Sequence, residues 1–172
     1  MKIRIASLIL FILAGITTLK AQESATSVFG KAAAQARKEN KKVILIFHAS
    51  WCSWCKKMDN HMNSDSCKKL LDDNYVTAHI TVQESPKNKA LETPGGDEIL
   101  KKYKGEKSGL PYWVILDHKG NLLADSNNAK GENLGCPASP EEVAVFIEKL
   151  KMTSKLSDKQ LAVIAETFTI KK

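Results

Sequence analysis

Five consecutive apolar residues, Val43-Ile44-Leu45-Ile46-Phe47, constrain this chain most. The run is short, rich in β-branched side chains, and has no polar position to turn toward water. It predicts a strand buried on both faces. Such a strand needs apolar layers above and below it, and the flanking patterns supply them.

Residues 27–39 read as a helix, with Val28, Ala32 and Ala36 four apart, Ser27 as N-cap and Asn40 as stop. After the run, a helix opens at Cys52, with Cys55, Met58 and Met62 on one face as core packing. Ser64 or Asp65 is expected to cap a second helical piece carrying Cys67, Leu70 and Leu71. Residues 75–82 alternate as a strand does, 83–95 read as a polar loop, and 97–103 as a helix with Ile99, Leu100 and Tyr103 on one side.

Tyr112 to Leu116 is a further strand. Asp117-His118-Lys119-Gly120-Asn121 is turn chemistry, and Leu122 to Ala124 starts the return strand of a hairpin. Ser139-Pro140-Glu141-Glu142 is a capping box with proline at the first helical position, and Ser157 with Gln160 repeats the capping signal. Strands separated by helices predict a parallel core, to which the hairpin adds one antiparallel edge strand. The class is α/β: a mixed central sheet flanked by helices, with an extra C-terminal helix.

At 172 residues the chain has room for one domain with a real core. Its 43% hydrophobic and 26% charged content excludes a disordered chain. The first 21 residues stand apart. A basic head with Lys2 and Arg4, an apolar stretch from Ile5 to Ile16, and Ala21 after Leu19-Lys20 have the layout of a secretory signal peptide. The expectation is an exported protein of the periplasm or cell envelope, with a domain over 22–172 and membrane attachment only if the segment stays uncleaved. Loss of Lys2, Arg4 and Lys20 lowers the formal charge from +7 by three, to +4. No run of five like charges occurs, so no nucleic-acid partner is expected.

An exported chain sits where disulfides form. Its cysteines are Cys52, Cys55, Cys67 and Cys136. Trp51-Cys52-Ser53-Trp54-Cys55 follows the buried strand and opens a helix. Positions i and i+3 share a helix face, so the two sulfurs can close a disulfide with little backbone movement. Cys52 falls at the helix N-terminus, where unpaired N–H groups and the dipole favour a thiolate. Cys55, one turn inward, is expected to be more shielded and to act as resolving thiol. Cys67 reads as a small buried hydrophobe, and Cys136 lies in a loop. A Cys67–Cys136 disulfide is an open alternative. His48 and His61 with the cysteine pair could be read as a zinc or copper site, but a structural zinc shows two closely spaced ligand pairs and only one is present. No metal and no cofactor is expected.

The stretch Phe47-His48-Ala49-Ser50-Trp51-Cys52-Ser53-Trp54-Cys55-Lys56-Lys57-Met58 resembles the active site of the thioredoxin superfamily, and most the exported thioredoxin-like proteins of bacterial cell envelopes. Gly109-Leu110-Pro111, before the strand at 112, resembles the family's second landmark. The resemblance covers about residues 27–151 and leaves a helical extension over 157–170. It implies a thioredoxin-like fold, a cis peptide at Pro111 facing the cysteine pair, and thiol–disulfide exchange. The partners implied are protein disulfide or dithiol substrates and a redox partner that recycles the pair. Cys52 and Cys55 would be the catalytic pair, and Trp51, Ser53, Trp54, Leu110 and Pro111 the substrate-binding platform. One departure matters: the family carries a buried acid six positions before the first cysteine, and Ile46 stands there. Water, His48 or a lysine would then take the proton of Cys55. The competing class is a non-catalytic module for copper handling or partner binding on the same fold.

Overall fold

The computed structural model describes residues 22–170. The signal-peptide expectation for 1–21 lies outside the described residues. Helix α1 (Ala25–Glu39) is capped by Ser24, whose hydroxyl accepts the Ser27 N–H, so the cap is not Ser27 itself. The reason is burial: Ala25 is in the core and its N–H donates to the Pro94 carbonyl, which draws the helix start two residues earlier. Asn40 ends it in the left-handed conformation, as expected of a short polar side chain.

Strand β1 (Lys42–His48) follows, then helix α2 (Ser53–Met62), for which Cys52 is the N-cap residue. Helix α3 (Lys68–Asp72) has no side-chain cap. Ser64, expected to cap it, donates its hydroxyl to the His61 carbonyl, and Cys67 takes the cap position with helical backbone. Strand β2 (Tyr75–Thr81) leads into a 3-10 helix at Pro86–Leu91, where an unstructured loop was expected, and then to α4 (Gly96–Lys102). Strands β3 (Tyr112–Leu116) and β4 (Leu122–Asp125) form the hairpin. Helices α5 (Pro140–Thr153) and α6 (Asp158–Phe168) both carry the capping boxes read in the sequence. Among the described residues no helix is long and apolar enough to cross a membrane.

The sheet order is β2-β1-β3-β4. Strand β1 is parallel to β2 and antiparallel to β3, and β3 is antiparallel to β4. The expected parallel core is therefore a single parallel pair. Phe47, near the end of β1, pairs with Ile80 near the end of β2 and with Tyr112 at the start of β3. The connection through α4 thus leaves and re-enters the sheet at one end. Because the chain re-enters the sheet where β2 left it, β3 runs back antiparallel to β1.

The period-2 alternation of β1 divides the core. Val43, Leu45 and Phe47 pack against Ala32 and Ala36 of α1 and Leu100 of α4. Ile44 and Ile46 pack on the other face with Met58, Leu71, Phe146 and Ile164. Helix α6 closes that second layer. The Phe168 ring lies 5.0 Å from Phe146 and 5.1 Å from His61, centroid to centroid. Truncating Phe168 to alanine would cost about 3–5 kcal/mol.

Candidate functional site

The end of β1 delivers the redox turn. Cys52 has extended backbone, and its sulfur accepts the Cys55 N–H at 3.0 Å, one of the donors a helix start leaves free. Cys52 and Cys55 form a disulfide across 5.3 Å between Cα atoms. Both are buried, at 3% and 2% exposure. The expected contrast in shielding between the two sulfurs is thus not present in the disulfide form.

The residues around them are less covered. Trp51 and Trp54 stand 58% and 47% exposed, Ser53 is exposed, and Leu110 packs against Ala49, Cys52 and Cys55. Pro111 is buried and follows a cis peptide from Leu110. The Lys57 ammonium lies over the Trp54 ring at 4.8 Å from its centroid. The structure thus gathers Cys52, Cys55, Trp51, Ser53 and Trp54 on one turn and brings Leu110 against it. Trp54, Gly109, Leu110, Leu134 and Cys136 line a cleft of about 280 Å³ beside them. Larger cavities, about 510 Å³ beside β2 and about 580 Å³ at the start of α5, include neither Trp54 nor Leu110.

The turn is tied from behind by the segment after β2. Val82 N–H donates to the His48 carbonyl at 2.8 Å, and the Trp51 indole donates to the Gln83 carbonyl at 2.8 Å. The Glu84 carboxylate accepts both the backbone N–H of Ser50 and, at 2.7 Å, its hydroxyl. Glu84 is 5% exposed and the only buried carboxylate among the described residues. Those bonds, led by the Ser50 N–H, hold its carboxyl below the ordinary range, against the opposing effect of burial. Sequence reading missed Glu84, because an acid in a polar loop carries no local signal of a partner 34 residues away.

The proton question takes shape around Ile46, which is buried in the core with no acid in its place. His48 is half-buried and spends its Nε2 on Thr81 Oγ1 at 3.2 Å. Its ring meets that of His79 at 5.2 Å, and His79 Nε2 meets Asp59 Oδ1 at 2.8 Å, so Asp59 is not merely a solvated residue. Burial, with His79 nearby, pushes His48 toward the neutral form. A neutral imidazole can accept a proton.

Cys67 and Cys136 are both free and buried, so the alternative disulfide between them is not formed. Burial pushes the Cys136 thiol up to about 11. Among the described residues no three His, Cys, Asp or Glu side chains cluster as a metal site. The His61 ring lies against that of Phe168.

Residues 24–118 match a protein family described as Thioredoxin-like. No curated protein matches the chain. Solved structures do. A disulphide isomerase from Xylella fastidiosa Temecula1 is 21% identical over 80% of this chain and 83% of its own, with a TM-score of 0.48. A DsbH oxidoreductase is 22% identical over 79% and 85%, at 0.49. The oxidised C-terminal domain of DsbD from Neisseria meningitidis is 25% identical over 61% and 84%, at 0.44.

Proposed function

The chain belongs to the thioredoxin-like family, and on that premise we propose that it is an exported oxidoreductase exchanging disulfides with proteins through Cys52 and Cys55. A Cys-x-x-Cys disulfide on this fold supports a thiol–disulfide redox role. The observation that carries the reading is the place of Cys52: N-cap of α2, its sulfur accepting the Cys55 N–H of the first turn.

In the reducing direction, the Cys52 thiolate attacks one sulfur of a substrate disulfide. A Cys52–substrate bond forms, the substrate S–S bond breaks, and the second substrate sulfur leaves as thiolate and takes up a proton. Cys55, having given its proton to His48 or water, attacks the Cys52 sulfur. The Cys52–Cys55 bond closes, the mixed bond breaks, and the substrate departs as a dithiol with two electrons gained. A dithiol partner then reduces the pair. The same steps reversed oxidise a substrate. Trp51, Trp54, Leu110 and Pro111 supply an apolar platform for an extended segment, and Ser53 follows Cys52 on the exposed side of the turn.

Reduction of insulin disulfides, with dithiothreitol as electron source, tests this. Wild type is expected to accelerate it and Cys52→Ser to remove the acceleration; equal rates would remove the reading. The reduction potential of the pair fixes the direction. Export is supported by the basic head and apolar stretch of residues 1–21. A mature chain beginning at Gln22 in the envelope fraction is the expected mass, and an intact cytosolic chain would overturn it.

A further inference from the structure

We infer that Asn133 is a positioning residue: through Gly109 and Pro111 it sets the cleft wall that receives a protein substrate. The inference rests on the exchange reading above and deepens it.

Asn133 lies in the loop between β4 and α5 and lines the cleft with Trp54 and Leu110. Its Nδ2 donates to the Gly109 carbonyl at 2.6 Å and to the Pro111 carbonyl at 3.1 Å. Its Oδ1 accepts the Gly135 N–H at 3.1 Å. The orientation of the amide is forced by these partners: turned over, it would set an oxygen against two carbonyl oxygens. One side chain thus grips the backbone on both sides of Leu110, while the N–H and C=O of Leu110 itself take no partner among the described residues.

Asn133 is in turn held. It pairs with Asn127 across a short bridge, and Leu134 N–H donates to the Ser126 carbonyl at 2.7 Å. Buried Ser126 accepts the Trp113 N–H, and Gly135, in left-handed conformation, accepts the Trp113 indole at 2.9 Å. The loop is therefore pinned to β3 at several points, and Asn133 carries that rigidity to Leu110. A neutral amide with two donors on one nitrogen and an acceptor beside it suits the task. Aspartate has nearly the same shape but no donor when ionised.

A wall of this kind matters to a partner long enough to lie along it. A small disulfide needs only the Cys52 sulfur. The test compares wild type with Asn133→Ala and Asn133→Asp on insulin and on a small disulfide, hydroxyethyl disulfide. Loss of the bonds to the Gly109 and Pro111 carbonyls, common to both variants, predicts a rise in KM for insulin of about tenfold. The insulin kcat is expected to fall by less than about twofold, and the small-disulfide rate to fall far less than insulin kcat/KM. Unchanged insulin KM would overturn the inference. So would equal losses on both substrates, which is how a purely structural residue behaves. Wild type inactive on insulin would remove the exchange reading and this inference together, whereas an active wild type with indifferent variants removes the inference alone.

Discussion

The two sides of the cleft are held by different chemistry. On the cysteine side, an ionised carboxylate, Glu84, grips the backbone and hydroxyl of Ser50, two residues before Cys52. On the proline side, a neutral amide, Asn133, grips two carbonyls. The contrast follows from what each must hold: donors call for an acceptor and carbonyls call for a donor. It also has a cost on one side only. A carboxylate can be protonated within reach of ordinary pH and sets a fixed negative charge behind the redox turn, while an amide does neither.

The comparison can be broken most sharply by removing what both sides serve. Cys52→Ser is expected to lower insulin reduction by more than about a hundredfold, while Cys55→Ser should accumulate the mixed disulfide, visible as an added mass on the intact protein. If either variant turned over normally, neither clamp would bear on chemistry.

Next comes pH. The Glu84 carboxyl is held below its ordinary value of 4.5, so its contribution to stability is present above that pH and is lost as pH falls through the depressed value. The Tm difference between wild type and Glu84→Gln should therefore be largest near neutrality and shrink in acid. The difference between wild type and Asn133→Ala should show no such slope, and parallel slopes for the two would erase the distinction.

Charge gives a finer test. Glu84→Gln keeps an acceptor for Ser50 but removes the negative charge, so the reduced Cys52 thiol should titrate at lower pH than in wild type, read from thiolate absorbance. An unmoved titration would make Glu84 a purely mechanical brace. The smallest effect concerns Cys136, which lines the same cleft as Asn133. With its thiol pushed up to about 11 by burial, it should stay unalkylated by iodoacetamide at neutral pH while reduced Cys52 is modified. Labelling of both at similar rates would show the proline side to be open.

Much of this frame was legible in the chain because it is written locally. Five apolar residues announced β1, two capping boxes marked the starts of α5 and α6, and two cysteines one helical turn apart marked the site. What the residues could not announce is set over distance. The direction of β3 depends on which end of the sheet the chain re-enters, not on any motif within the strand. The choice of Ser24 over Ser27 as cap turned on Pro94, far along the chain. Glu84 and Asn133 look like ordinary loop residues, and only their partners 34 and 22–24 positions away give them a role. Ile46 was legible as a missing acid, but the buried charge that does lie behind the turn could not be found from that gap.

The spacing of the four cysteines has a consequence for how the chain matures. Cys52 and Cys55 lie three positions apart, while joining either to Cys67 or Cys136 means closing a longer loop at greater entropic cost. An oxidant that meets the newly made chain is therefore offered the right partners first. Once Met58, Phe146 and Phe168 have gathered around Cys67 and Cys136, the other two sulfurs are out of its reach. Fidelity of pairing then depends on the order in which thiols leave the solvent, and a substitution that delays closure of that layer would be betrayed by scrambled crosslinks before any loss of turnover.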